Sequence, residues 1–315
     1  MAFSDEIKKH LEAYKAPRFN VIEYPHGLWK NNPEKVLKYA FTPEKSDFNL
    51  ILKYKDRFLE YEKKLEKQKK ISRHMYFHHM NSSQAMCINF FFPLLQEHNL
   101  ELITDYFGFI GERVNYDSVQ FEKLSEIEPH YGHTPTNFDF YFETESGKKF
   151  FFEIKYTEYQ FASAVEDEEH VVKYDKVYSN HLTPICEEFH GFQKFISNYQ
   201  LLRNLIHVSQ NSYVVFIYPE GNTRIRKEAE MAVNRIITEE FKLNIRTVTW
   251  EDIFKKVSQC VTKGELKEHF AEFRSKYFIN SSQNEVEDLL NGRKIVQVVT
   301  TSNKDSNATP YNVII

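Results

Sequence analysis

The sequence predicts an α/β protein with a helical extension at its N-terminus. Two observations carry this. Apolar residues recur at three- and four-residue steps over several stretches, the period of a helix with one buried face. Short runs rich in aromatic and β-branched residues, at 137–144, 148–155 and 213–218, read as strands. In order, the chain reads helix, strand, hairpin, helix, strand.

The first eighty residues read as helical. Ile51, Tyr54, Phe58, Tyr61 and Leu65 form one apolar stripe, while Pro17, Pro25, Pro33 and Pro43 forbid a single continuous helix before it. Ser82 is suited to cap the free amides of a helix over 85–97, with Ile88, Phe91, Phe92 and Leu95 on its buried side. The apolar stretch 102–110 is expected to be the first strand. Two aromatic runs joined through Glu145-Ser146-Gly147 then make a β-hairpin, a loop length at which Gly in the left-handed region is favoured. Residues 165–181 are acidic and polar and read as an exposed excursion. Helical periodicity resumes over 185–207, and 213–218 is apolar throughout, as a central strand is. A helix over 224–242, a short strand at 246–249 and a short helix at 250–257 follow. Asn291-Gly292 predicts a turn and 294–300 a last strand. The implied organisation is an N-terminal helical region (1–79), a core domain (80–260) and a C-terminal extension packed on it (261–315).

Composition narrows the function classes. With 28 Phe and 19 Tyr among 315 residues, aromatic rings should fill much of the core. No apolar run approaches the roughly 20 residues of a membrane-spanning helix. The N-terminal residues, with Asp5, Glu6, Lys8 and Lys9, are too polar for a secretory signal. Three scattered cysteines, Cys87, Cys186 and Cys260, have no C-x-x-C spacing, so a reduced, cytoplasmic setting is expected. The net charge of -4 counts against a protein that coats nucleic acid nonspecifically. A local basic surface is enough for an enzyme. Between Lys53 and Arg73, nine basic residues face four acidic ones, and within that stretch Lys63 and Lys64 are candidate DNA contacts. A solvated helix face explains the same charges.

Glu-x-Lys occurs five times, at Glu6, Glu62, Glu153, Glu240 and Glu265, and four of these lie in or beside helical segments. Only Glu153-Ile154-Lys155 ends a strongly apolar strand and follows an aspartate-bearing strand across a tight turn. With Glu145–Gly147 as the loop, Phe142 faces Phe150, Phe140 faces Phe152 and Phe138 faces Ile154, an aromatic wall on one side of the hairpin. Asp139 then opposes Glu153 on the other side, with Lys155 next along. Opposed residues have Cβ atoms about 4.5–5.5 Å apart, where like charges repel. A divalent cation relieves that conflict. A register slip of one residue would undo the pairing.

Asn137-Phe138-Asp139, the hairpin and Glu153-Ile154-Lys155 resemble the PD-(D/E)XK, or restriction-endonuclease-like, nuclease superfamily. The likeness covers about 80–220, and the helix start Ser82-Ser83-Gln84 is similar to an orphan group within it. Phe138 stands where the family's name has proline. The resemblance implies a core of a central mixed β-sheet flanked by helices. It further implies Mg²⁺ (or Mn²⁺ in its place) held by Asp139, Glu153 and the Ile154 carbonyl, with Lys155 orienting the attacking water and stabilising charge on the phosphate. Gln84 or Glu97 could add a further group from the preceding helix, or act as helix caps or surface groups. Gln200 and Arg203, three apart, share a helix face that could reach the site or face solvent.

Rival motifs are weaker. His74 and His78 are four apart but lack the glutamate of H-E-x-x-H. His130 and His133 sit in a Gly- and Pro-containing loop. Ser82 and Ser83 have no arranged His and Asp partners, and no phosphate-cradling P-loop occurs among the 9 glycines. The expectation is a Mg²⁺-dependent endonuclease cutting DNA in restriction or defence, with homodimerisation a way to cut both strands. Repair or recombination is the alternative setting. A non-catalytic nucleic-acid-binding module on the same fold is the alternative class.

Overall fold

The computed structural model describes residues 2–128 and 135–279. The elements, in chain order, are α1 (Phe3–Lys15), β1 (His26–Trp29), β2 (Asn32–Phe41), α2 (Leu52–Lys64), α3 (Ser83–Gln96), α4 (Glu101–Tyr106), β3 (Val114–Leu124), β4 (Asn137–Thr144), β5 (Lys149–Ile154), α5 (Glu168–Lys176), α6 (Phe192–Ser197), α7 (Tyr199–Leu205), β6 (Ser212–Tyr218), α8 (Thr223–Met231), β7 (Ile245–Thr249), α9 (Trp250–Cys260) and α10 (Gly264–Tyr277). Five strands form one mixed sheet in the order β3-β4-β5-β6-β7. β3, β4 and β5 run antiparallel, and β5, β6 and β7 run parallel. The parallel step from β5 to β6 needs a crossover, which α5–α7 provide.

The sheet is covered on both faces. One face packs with α1, α2, α3, α9 and α10 around a cluster that includes Phe91, Phe140, Phe142, Phe150 and Phe152. Phe91 stacks on Phe140 with ring centroids 4.2 Å apart. The other face carries Tyr141, Phe151, Val214 and Phe216 against the side chains of α5–α8. A sheet buried on both faces explains the uninterrupted apolar run of β6, every residue of which is buried.

The hairpin loop has Gly147 at φ 84°, and the Thr144 amide donates to the Lys148 carbonyl at 2.8 Å. Ser82 caps α3, its hydroxyl accepting from the Ala85 amide at 3.3 Å. Among the described residues no helix is long and apolar enough to cross a membrane.

Several local expectations are corrected. The N-terminal region holds a two-stranded ribbon, β1–β2, as well as helices. Along β2, buried Leu37 and Tyr39 alternate with exposed Val36 and Lys38, the period of a strand. Residues 101–106 are the helix α4 rather than a strand, since a short apolar run does not by itself distinguish the two. The first strand of the sheet is β3. Residues 165–181 are not an open excursion: α5 and the turn after it bury Lys173, Tyr174 and Tyr178. The helix expected over 185–207 is broken into a 3-10 turn, α6 and α7, and the one over 224–242 into α8, a π turn and a 3-10 turn. The turn at Asn291-Gly292, the strand at 294–300 and the histidines at 130 and 133 lie outside the described residues.

Candidate active site

The hairpin brings the acids together. Its rungs are Phe140–Phe152, Tyr141–Phe151, Phe142–Phe150 and Glu143–Lys149, the register read from the loop. One step outward, Asp139 comes level with Glu153. There the strands part, and Asp139 Oδ2 accepts from the Ile154 amide at 2.6 Å. Lys155 follows β5, its amide bonded to the Ile217 carbonyl at 2.8 Å and its carbonyl accepting from Trp250 Nε1 at 3.1 Å. Both neighbours of the lysine's main chain are thus held by buried elements.

Glu153 and Lys155 are buried and form a direct ion pair, Nζ to Oε1 at 2.7 Å. Two amides on α7 complete the shell. Gln200 Nε2 donates to Glu153 Oε1 at 2.8 Å, while Gln200 Oε1 accepts from Lys155 Nζ at 3.1 Å. Asn204 Nδ2 donates to Glu153 Oε2 at 3.0 Å. Gln200 and Asn204 are four apart, so they share a face of α7. The ring of Phe161 lies 5.0 Å from Lys155 Nζ.

A third carboxylate, Glu122 on β3, joins this group. Gln84 Nε2 donates to Glu122 Oε1 at 2.7 Å, and Asn137 Nδ2 donates to its other oxygen. Gln84 is itself held by the Ser72 carbonyl at 2.9 Å and by the His74 amide, which donates to its Oε1 at 2.8 Å. Burial pushes Glu122 up to about 7, with the charge of Glu153 acting in the same direction and the two amide hydrogen bonds opposing it. Burial also raises Asp139 well above the usual carboxylate range, reinforced by the charges of Glu153 and Glu122. Burial disfavours the charge on Lys155, but the nearby carboxylates, Glu153 foremost, hold its pKa above the ordinary lysine value.

Ionising three crowded acids beside a single ammonium is costly without further positive charge, which a hard divalent cation with oxygen ligands would supply. Both oxygens of Glu122 are taken by amide donors. Among the described residues no group of three or more His, Cys, Asp or Glu side chains is arranged to hold a metal ion. Asp139 and Glu153 could hold a cation here with the Ile154 carbonyl and water, Glu153 exchanging a donor for the metal, since Lys155, Gln200 and Asn204 occupy both its oxygens. Two carboxylates suit a hard divalent cation that keeps several waters.

The other residues singled out in the sequence fall elsewhere. Arg203 turns away from Glu153 to Thr136 Oγ1 at 2.8 Å and Glu128 Oε2 at 3.3 Å, and the buried Glu128 also takes Lys173 at 2.9 Å. Glu97 lies at the far end of α3 from Gln84 and accepts from the Tyr54 hydroxyl at 2.8 Å. Lys63 and Lys64 are exposed in the last turn of α2. His74 and His78 are not on a helix: His78 lies in a turn, ring to ring at 4.4 Å with His79, which bridges to Ala40. Glu122 gave no local signal, since it stands in an ordinary strand sequence. Asn204 belongs to the polar group Asn198, Gln200, Arg203 and Asn204 that the sequence places within two turns of one helix, and its spacing of four from Gln200 brings it to Glu153.

A five-stranded mixed sheet between helical layers, with acids on neighbouring antiparallel strands and a lysine two residues past the second acid, defines a restriction-endonuclease-like protein. Over residues 8–278 the chain matches the family described as Restriction Endonuclease associating with ARP, and it belongs to that family. A nuclease role follows at that level. No curated protein and no solved structure matches it.

Proposed function

We propose that this protein is a metal-dependent endonuclease that hydrolyses phosphodiester bonds in DNA, with Asp139, Glu153 and Lys155 as its catalytic groups. The observation that carries the reading is the meeting of Asp139 and Glu153 at the open end of the hairpin, with Lys155 Nζ 2.7 Å from Glu153. A bound Mg²⁺ or Mn²⁺ supplies Lewis acidity and lowers the pKa of a coordinated water. Asp139 and Glu153 are the carboxylates that hold it, the first steadied by the Ile154 amide and the second by Gln200 and Asn204. Lys155 is charged and donates to a nonbridging phosphate oxygen, where negative charge grows as the phosphorus becomes five-coordinate. Its raised pKa favours that role over proton abstraction. Gln84 and Asn137 orient Glu122 at the edge of the site.

The family's description supports a setting in restriction over repair or recombination. The association with ARP named in the family's description is a proposal for this chain: a partner of that name acts with it.

The test is cleavage of plasmid DNA, with RNA as a comparison, in Mg²⁺, Mn²⁺ or EDTA. Wild type cuts DNA with either metal and not in EDTA. Glu153→Gln and Lys155→Met lose about 100-fold or more of the rate while remaining folded. Full activity in both variants would sink the site assignment. Absence of cleavage of any nucleic acid with either metal would favour a binding module on this fold.

A further inference from the structure

A run of aromatic and basic side chains leads away from the acids toward the β1–β2 ribbon. It starts at Gln84, which joins Glu122 to the His74 amide. The His74 and Tyr76 rings lie 5.5 Å apart, and Tyr76 and His79 lie 5.1 Å apart. His79 meets Tyr39 of β2 edge to face at 5.8 Å, and Lys8 of α1 stands 5.9 Å over the Tyr39 ring. There the run opens into a cleft of about 520 Å³ between α1 and β2, lined by Lys8, Lys9, Lys35 and Lys38 with Asp5 and Glu12. Lys38 pairs with Glu12 at 3.2 Å, which leaves Lys8, Lys9 and Lys35 facing one acid, Asp5. On the ribbon beyond, Lys35 lies 5.0 Å from the ring of Trp29, which is 42 % exposed.

The segment bearing these rings is fixed to the site at two points and to the ribbon at a third. His74 reaches Glu122 through Gln84. Asn81 Nδ2 donates to Thr157 Oγ1 at 2.7 Å, two residues past Lys155. Ala40 of β2 bridges to His79, and the Phe41 amide donates to the His78 carbonyl at 3.0 Å. Tyr76, 40 % exposed, therefore presents an open ring between the carboxylates and the basic cleft.

We propose that this face is the path of an unpaired DNA strand, whose bases stack on Tyr76 and His74 while its phosphates cross the Lys8, Lys9 and Lys35 cleft. The inference rests on the nuclease reading and names the form of substrate the site receives. Aromatic rings set between a charge cluster and a basic cleft match what single strands require: a π face for each splayed base and a cationic groove for the backbone. Bases within a duplex remain stacked on each other and have no faces to offer Tyr76. The basic cleft is a local exception in a chain of net charge -4, so the phosphates have a defined place to lie.

The test uses the full chain in EDTA, where hydrolysis does not enter, and fluorescence anisotropy of labelled oligothymidylate of roughly 20 nucleotides. The same strand annealed to its complement is the second probe. Tyr76→Ala is expected to weaken strand binding about 5- to 100-fold and to leave duplex binding within about twofold. Lys9→Glu with Lys35→Glu is expected to weaken strand binding at least about tenfold and to flatten its dependence on salt. Both sites are exposed, so neither change should lower thermal stability. Equal losses on strand and duplex with Tyr76→Ala would overturn the proposal, as would strand binding by the double variant within about twofold of wild type. Cleavage plays no part in these readings, so failure of the catalytic assignment and failure of this path are seen separately.

Discussion

Replacing Gln200 with Leu removes the side chain that bridges Glu153 and Lys155 from α7. Three hydrogen bonds disappear: Nε2 to Glu153 Oε1 at 2.8 Å, Oε1 from Lys155 Nζ at 3.1 Å and Oε1 from the Ala162 amide at 3.0 Å. Ala162 is exposed, and water replaces its partner at little cost. The other two bonds involve charged groups, each contributing about 1.5–3 kcal/mol. The losses do not sum fully, because Glu153 keeps Lys155 at 2.7 Å and Asn204 at 3.0 Å. A destabilisation of about 2–3 kcal/mol is expected, read as a lower urea midpoint with unchanged slope. The effect on cleavage is expected to fall on kcat. Glu153 stays tied to α7 through Asn204, but the Lys155 ammonium loses its link to that helix and can shift beside Glu153, and a small misplacement of a catalytic group costs on the order of 100-fold. Gln200→Asn is too short to bridge both partners and should behave like Leu. Assays at saturating Mg²⁺ separate this loss from weakened metal binding. A Gln200→Leu protein with wild-type kcat and a midpoint shift under about 0.5 kcal/mol would refute the positioning role.

Two further outcomes follow from the packing. Phe91→Ala empties a fully buried position stacked on Phe140 and should cost about 3–5 kcal/mol in urea unfolding; under about 1 kcal/mol would mean that α3 closes onto the sheet without it. Lys276, on α10, donates to the Asn49 main chain and side chain, and burial lowers its pKa to about 7 from the ordinary lysine value of 10.5, with Glu272 opposing. The unfolded lysine then holds a proton that the folded one releases between these values, so stability rises with pH across that window, by about 1.4 kcal/mol per unit at most. Lys276→Met should remove that rise between about pH 7 and 9, and an unaltered slope would contradict the assignment.

The parts of the site that were legible in the sequence are those set by local constraints. The spacing of Phe142, Gly147 and Phe150 fixes a hairpin loop, the loop fixes the register as far as Phe140–Phe152, and one step outward Asp139 accepts from the Ile154 amide beside Glu153. Ser82 ahead of an apolar stretch likewise marks the start of α3. What stayed hidden depends on contacts across long sequence separations. Nothing beside Glu122 tells that Gln84, thirty-eight residues earlier, and Asn137, fifteen later, will bond it. The stretch 165–181 looks solvated because Lys173 is charged, yet its ammonium is buried against Glu128. Apolar runs such as 102–110 carry no period long enough to choose between helix and strand.

One irregularity links these hidden features. Glu122 has φ 56°, in the left-handed region that non-glycine residues seldom adopt. It lies on the rung between Phe121–Phe140 and Lys123–Phe138, opposite Asp139. Across that rung the alternation of faces breaks in both strands. Phe121 and Phe140 point into the cluster under α3, whereas Phe138 joins Tyr141 and Phe151 on the opposite face, and Lys123 lies 5.1 Å over the Tyr141 ring. The expected aromatic wall therefore loses Phe138, which packs edge to face on His207 at 4.9 Å instead. The same turn of the backbone aims Glu122 at Gln84 and Asn137. A left-handed glutamate costs of the order of 1–3 kcal/mol, and persists only where the surroundings over-determine it. Here the two amide donors and the aromatic packing on either side supply that constraint. The break in the sheet and the gathering of three acids are thus one structural event, and a regular β3–β4 ladder would send Glu122 elsewhere.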